Sequence, residues 1–138
     1  MKTDENCIFC KIVKGEVPST QVYEDDSTFA FLSTGPNNQG HTLVIPKDHA
    51  TAIYDLPDEI LLPLMKTLKK MSKAVKSGMQ ADGINLHMNN DAPAGQAVFH
   101  AHIHIIPRFI GDGHTHWSPK EYAPGEAETA AEKIKGAL

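Results

Sequence analysis

The most constraining feature of this sequence is a strict alternation of histidine with apolar residues, in the run His100-Ala101-His102-Ile103-His104-Ile105. Successive side chains of a β-strand point to opposite faces. A strand over 98–108 therefore carries the three histidines on one face and the apolar residues on the other. The alternation predicts a half-buried strand that packs its apolar face on the core.

Three imidazoles on one face can bind a metal, act as nucleophiles or transfer protons near neutral pH. A solvent-facing polar side of an edge strand is the structural alternative, but it does not explain the strict period. A three-histidine zinc site is another alternative. The Cα atoms of His100 and His104 would lie roughly 13 Å apart on a strand, too far for both side chains to bind one ion easily. We expect the outer histidines to have different roles.

The remaining pattern predicts a single α+β domain over 1–138, in which strand pairs are interrupted by one long helix. Apolar residues at helical spacing place that helix at 58–78, where Pro63 predicts either a kink or a later start. Pro46 is expected to end the third strand. The other elements are strands at 22–24, 28–32, 41–45 and 83–89, and a C-terminal helix at 126–135.

Charge and length exclude some partners. The 138 residues carry a formal net charge of −4 and no basic stripe, which disfavours a long nucleic acid. A small anion held by backbone amides needs no net positive charge. No apolar run approaches the roughly 20 residues that span a bilayer. Because residues 1–6 lack the apolar stretch of a secretory signal, we expect a cytoplasmic protein with no membrane partner.

Cys7 and Cys10 are the only cysteines and form one C-x-x-C motif. In a reducing compartment this spacing favours metal or redox chemistry over a structural disulfide. A structural zinc site needs four nitrogen or sulfur ligands, so two more must come from elsewhere in the chain. The alternative is two small hydrophobic residues near a flexible terminus.

Four ordered blocks resemble the histidine triad superfamily of nucleotide hydrolases and transferases. They are 7–19, 40–49, 94–96 and the triad itself at 100–106. The resemblance implies a five-stranded antiparallel sheet with one long helix and a short C-terminal helix. It also implies a homodimer in which two such sheets join, and a small-molecule partner, a purine nucleotide, whose α-phosphate lies against the triad.

The resemblance also implies roles for the histidines. His102 attacks phosphorus and forms a transient nucleotidyl-histidine, which water or another acceptor resolves. His104 can donate to a phosphate oxygen, and His41 matches an additional active-site histidine. Gly95 and Gln96 precede the strand in a turn that can direct backbone N–H groups toward an anion.

Two further sets of residues follow from the resemblance. Asn89 matches a polar amide near the bridging atoms of the substrate, although Asn89 and Gln96 are also ordinary turn-forming residues. Members with the C-x-x-C complete a zinc site with two histidines. The zinc ligands expected by this match are Cys7, Cys10, His49 and His100. Such a site would clamp the end of the strand that presents the nucleophile.

Two positions depart from the family pattern. Ser33 stands where members commonly hold the ribose hydroxyls with Asp or Asn, which predicts weaker ribose selectivity. Ala97 stands where members often carry Ser or Thr near the leaving group, and alanine cannot relay a proton. His104, water or the substrate must then supply that proton. In the segment 114–119, we expect Trp117 to be a packing anchor.

The sequence therefore predicts a hydrolase or nucleotidyl transferase that acts at the α-phosphate of a nucleoside 5′-monophosphate ester or phosphoramidate. A dinucleoside polyphosphate hydrolase is the nearest alternative, for which Lys47 and Arg108 are the basic residues that could supply counter-charge to the extra phosphates. A non-enzymatic nucleotide-binding regulatory protein is the alternative from another class, but pure binding does not require His102.

Overall fold

The structure, a computed structural model, describes all residues from 1 to 138. Five antiparallel strands form one sheet in the order β1-β2-β3-β5-β4. The predicted α+β fold is confirmed. The elements are α1 (Ile8–Val13), β1 (Gln21–Glu24), β2 (Thr28–Leu32), β3 (Thr42–Pro46), α2 (Asp58–Gly78), β4 (Gly83–His87), β5 (Ile103–Arg108) and α3 (Glu126–Lys135).

Both faces of the sheet are covered near its centre. In β2 and β3, Ala30 and Val44 face the long helix α2, whereas Phe31 and Leu43 face the short helix α1. Successive side chains of a strand alternate in this way. The α2 side also buries Ala101 and Ile105, which confirms the predicted apolar face of the histidine segment.

β5 is shorter than the alternation predicts, because it begins at Ile103 and not at residue 98. The residues before Ile103 do not continue the ladder to β3. The Ala101 N–H donates to the carbonyl of Ala50 at 2.7 Å. The carbonyl of Pro46, at the end of β3, lies 2.9 Å from Nε2 of His100. A side chain thus occupies the acceptor at this end of β3.

Two other features differ from the prediction, and the structure decides between the alternatives at Pro63. β4 ends at His87 and not at residue 89, and the helix α1 was not predicted. α2 begins at Asp58 with Pro63 inside it, so the later start is wrong. Burial of one face of α2 offsets the hydrogen bond that proline cannot donate. The buried residues of α2 are Leu64, Thr67, Leu68, Met71 and Val75.

The periphery leaves two apolar surfaces open. Trp117 is 95% exposed, so the prediction that it anchors packing is wrong within this chain. β4 is an edge strand, and Leu86 on it is 47% exposed. The joining of two sheets in a homodimer stays a prediction.

None of the helices combines the length and the apolar character that crossing a membrane requires.

Asp25 fastens the β1–β2 turn to α2. One carboxylate oxygen accepts the N–H groups of Ser27 and Thr28 and the Thr28 hydroxyl, at 2.8 to 3.0 Å. The other accepts from Tyr23 and from Thr67 of α2. Burial opposes ionisation, but these hydrogen bonds outweigh it and lower the pKa of Asp25 to about 2.

We predict that Asp25→Asn lowers the free energy of unfolding at pH 7 by about 1–3 kcal/mol, because an amide cannot accept all of these bonds. The exposed neighbour Asp26 makes no such bonds, so Asp26→Asn is the matched control. Since the folded pKa of Asp25 lies below its unfolded value, its contribution is present above about pH 4 and is lost toward pH 2. Urea unfolding at several pH values measures the difference. Equal stability of the two variants would contradict the assignment.

Candidate active site

Four imidazoles meet where β3, β4 and β5 lie side by side. His104 of β5 is paired with His87, the last residue of β4. His41 directly precedes β3, and His102 directly precedes β5. The ring centroid of His104 lies 5.1 Å from that of His41, 4.4 Å from that of His87 and 4.9 Å from that of His102.

A chain of hydrogen bonds fixes the proton positions on two of these rings. The backbone N–H of Asn37 donates to Nδ1 of His41 at 3.1 Å, so a neutral His41 carries its proton on Nε2. That Nε2 lies 2.9 Å from Nδ1 of His104 and donates to it. A neutral His104 therefore carries its own proton on Nε2. This atom is buried and has no partner in the protein.

His102 has the opposite tautomer. Its Nδ1 lies 2.6 Å from the carbonyl oxygen of His100, which can only accept, so Nδ1 carries the proton. Nε2 then holds the lone pair and has no protein partner. Phe9 of α1 packs its ring edge to face against His102, with centroids 5.3 Å apart. The His102 residue is only 6% exposed, but its Nε2 atom is not fully enclosed.

The surroundings keep these imidazoles neutral. Burial lowers the pKa of His102, against the effect of its bond to the His100 carbonyl. Burial and then the neighbouring His102, His87 and His41 lower the pKa of His104 to about 3. Burial and the charges of nearby histidines also lower the pKa of His41. At pH 7 the site thus holds a neutral imidazole with a free lone pair at His102 and a neutral N–H donor at His104.

The turn before the triad is held by Gln96. Its side chain accepts the N–H of Asp91 and donates to the carbonyls of Thr51 and Val98. The backbone N–H groups of Gly95 and Gln96 donate to carbonyls inside the turn. The first backbone N–H after the turn that has no acceptor in the protein belongs to Ala97. Substrate contacts by Gly95 and Gln96 stay predictions.

The other two predicted substrate residues lie on either side of the imidazoles. Asn89 donates weakly to the carbonyl of Gly95 at 3.4 Å, which leaves its side-chain oxygen free. Ser33 follows β2, and its N–H donates to the carbonyl of His41. The Ser33 hydroxyl accepts the N–H of Gly35 at 3.3 Å. Ser33 thus lies beside the histidine cluster, and its ribose contact stays a prediction.

The predicted zinc ligands form a compact cluster, with their ligand atoms all within 4.8 Å of one another. Nδ1 of His100 lies 3.5 Å from Sγ of Cys7 and 3.6 Å from Sγ of Cys10. Nδ1 of His49 lies 3.4 Å from Sγ of Cys10. In a tetrahedral zinc site, bond lengths of about 2.3 Å to sulfur and 2.0–2.1 Å to nitrogen separate such ligands by about 3.6 Å. The donor set and the spacing fit zinc.

The outer contacts of the cluster suit a cation. His100 donates through Nε2 to Pro46, so its Nδ1 lone pair faces the sulfurs. Nε2 of His49 lies 3.8 Å from the carboxylate of Asp4. A carboxylate or carbonyl behind a ligating histidine is the usual outer contact of a metal site. Burial raises the pKa of the Cys10 thiol, because it disfavours the charged thiolate. A bound cation would stabilise that thiolate.

Sequence reasoning missed two residues of the site. Phe9 lies between the two cysteines, where only the unpredicted helix α1 turns it toward His102. His87 lies outside the four family blocks, but the pairing of strands 83–89 and 98–108 could have placed it opposite a triad histidine. Beside His87 is a cavity of about 520 Å³ that no triad histidine lines; its lining residues are Asn37, Asn85, Leu86, His87, Asn89, Ala94, Ile106, Arg108, His114, Thr115, His116 and Trp117.

The sheet and the histidines gathered at β5 define a histidine triad protein. A model of the HIT domain matches residues 14–111. The chain belongs to the HIT domain family. The Bacillus subtilis protein hit is 46% identical over 114 residues, which cover 82% of this chain and 79% of that protein. The Schizosaccharomyces pombe adenosine 5′-monophosphoramidase is 36% identical over 138 residues, 96% of this chain and 98% of that protein.

Solved structures agree with the fold. A Streptococcus mutans protein superimposes with a TM-score of 0.92 at 37% identity, covering 98% of this chain and 87% of that chain. A zinc-bound histidine triad family protein from Mycobacterium smegmatis superimposes with a TM-score of 0.76 at 33% identity, covering 96% and 98%. Together with the relatives, these matches confirm the predicted family and the predicted class of histidine triad hydrolase.

Proposed function

We propose that this chain hydrolyses nucleoside 5′-monophosphate esters or phosphoramidates at the α-phosphate, or transfers their nucleotidyl group, through a nucleotidyl-histidine on His102. The observation that carries the proposal is the hydrogen bond between Nδ1 of His102 and the His100 carbonyl. This bond leaves the lone pair of the neutral His102 ring on its Nε2. The Nε2–H of the neighbouring His104 has no partner in the protein. Nucleophile and donor thus lie together before substrate arrives, which is the arrangement that phosphoryl transfer requires.

In the first step, Nε2 of His102 attacks the α-phosphorus and the bond from phosphorus to the leaving group breaks. The N–H groups of His104 and of the turn at Ala97 stabilise the charge on the phosphoryl oxygens. In the second step, water attacks phosphorus, the bond to Nε2 breaks and the nucleoside monophosphate departs with release of a proton. The Ala97 side chain takes no part and His104 is a neutral imidazole, so water or the substrate protonates an amine leaving group.

The nucleoside 5′-phosphoramidate is the substrate class that we favour. The S. pombe relative is named as an adenosine 5′-monophosphoramidase. In this class we assign Asn89 to the bridging atom and Ser33 to the ribose. The polyphosphate alternative loses support, since both basic residues near the site are paired. Lys47 lies 2.8 Å from Glu24, and Arg108 lies 2.7 Å from Asp112. A purely binding role leaves the tautomer of His102 unexplained.

We also propose that Cys7, Cys10, His49 and His100 bind a structural zinc ion. The tetrahedral spacing of their ligand atoms and the outer contacts of both histidines support it. The M. smegmatis neighbour is described as zinc-bound. Zinc would hold α1 against the segment before β5 and would itself contact no substrate.

We predict that His102→Ala abolishes turnover of adenosine 5′-phosphoramidate but leaves AMP binding measurable, because the lone pair that attacks phosphorus is lost. Turnover is measured by chromatography and binding by calorimetry. Wild type quenched in alkaline denaturant, which preserves the acid-labile bond from phosphorus to nitrogen, should carry one AMP on the peptide that contains His102, detected by mass spectrometry. A kcat near the wild-type value in His102→Ala would refute the covalent mechanism.

We predict about one zinc per chain by elemental analysis of protein made in zinc-supplemented medium. Zinc that binds only the folded state adds about 2.7 kcal/mol of stability at 100 times its Kd. Adding zinc to chelator-treated protein should therefore raise the Tm. Cys7→Ser/Cys10→Ser should not respond, whereas the exposed control His116→Ser should respond like wild type. Absence of zinc, or an equal response of all three proteins, would contradict the site.

A further inference from the structure

His87 is the one imidazole of the cluster that neither the family blocks nor the proposed mechanism uses. It ends β4 and is paired with His104 across the ladder. The two rings are stacked, with centroids 4.4 Å apart and planes inclined by 23°. The contacts of His104 with His41 and His102 are more steeply tilted, at 49° and 59°. His87 therefore provides the only flat stacking partner of His104.

The hydrogen bonds explain why His104 needs such a partner. Nδ1 of His104 accepts one bond from His41 at 2.9 Å, and Nε2 has no partner until substrate binds. One hydrogen bond at one edge of the ring leaves the opposite edge free to swing. A ring stacked on the face restricts that motion, because offset-stacked aromatic pairs prefer a defined separation and plane.

Within this chain, the His87 ring stacks on no aromatic ring other than that of His104. Neither of its ring nitrogens makes a hydrogen bond to the chain, and the residue is exposed on the wall of the cavity of about 520 Å³. The position of His87 at the end of β4 fixes its backbone but not its side chain. What the side chain touches is His104, so its effect on the reaction passes through that ring.

We propose that His87 is a positioning residue, which holds the His104 ring in the plane where its Nε2–H meets the phosphoryl oxygen. The proposal rests on the proposed nucleotidyl transfer and adds to it a residue of β4. Because the stack uses the face of the ring and not its nitrogens, any flat aromatic ring of similar reach should serve.

Three variants test this role with adenosine 5′-phosphoramidate as substrate. His87→Leu removes the flat ring and should lower kcat by about 2- to 10-fold, the range of aromatic-pair energies, with KM changed less than about 2-fold. His87→Phe keeps a flat ring without nitrogens and should retain the wild-type kcat. His87→Met also has an apolar side chain without a ring. It should lower kcat as much as His87→Leu, and it replaces His87→Leu if the leucine variant is unstable.

A double-mutant cycle tests whether the effect passes through His104. In a His104→Ala background, the leucine substitution at position 87 should lower kcat no further, since the ring that it positions is gone. An unchanged kcat in His87→Leu would overturn the proposal. Equal losses in the leucine and phenylalanine variants would also overturn it, because the nitrogens of His87 would then be required. A full additional loss in the His104→Ala background would do the same.

A spectroscopic readout separates this proposal from the proposed function. In histidine-labelled protein without substrate, stacking on His87 should shift the ring protons of His104 upfield. The shift should persist in His87→Phe and disappear in His87→Leu. Wild-type protein that shows the shift but turns over no nucleotide substrate would refute the proposed function and leave the stack established. Ring protons of His104 that are unchanged in His87→Leu would refute the stack itself.

Discussion

His100 connects the two halves of the site. Its imidazole donates to Pro46 through Nε2 and turns Nδ1 toward the two cysteines, while its carbonyl accepts the Nδ1 proton of His102. The same residue thus ends the pairing of β5 with β3, belongs to the cysteine cluster and sets the tautomer of the proposed nucleophile. Any change that rotates His100 alters both the cluster and the lone pair of His102.

Much of this arrangement is predictable from the sequence. The alternation at 100–105 indicates an apolar face, and the burial of Ala101 and Ile105 confirms it. The apolar spacing at 58–78 gives both ends of α2, because one face of that helix is buried along its length. The four cluster residues are separated by up to 93 positions, so only the resemblance to known zinc sites could join Cys7 to His100.

The remaining features depend on contacts between distant segments. The start of β5 is displaced because a side chain takes the Pro46 carbonyl, an exchange that no strand pattern encodes. Gln96 matched a substrate position, yet its amide is fully engaged with Asp91, Thr51 and Val98. Phe9 faces His102 only because α1 forms, and a six-residue helix has too few residues to give a periodic signal.

Hydrogen bonds of His41 and His102 with backbone groups, and of His41 with His104, fix the proton position on these three rings before substrate arrives. Long-range proton–nitrogen NMR of ¹⁵N-histidine-labelled protein at pH 7 tests this directly, since it identifies the protonated nitrogen of each neutral ring. We predict Nδ1–H for His102, and Nε2–H for both His41 and His104. A neutral His102 with its proton on Nε2 would contradict the account, because that nitrogen would then have no lone pair for attack on phosphorus.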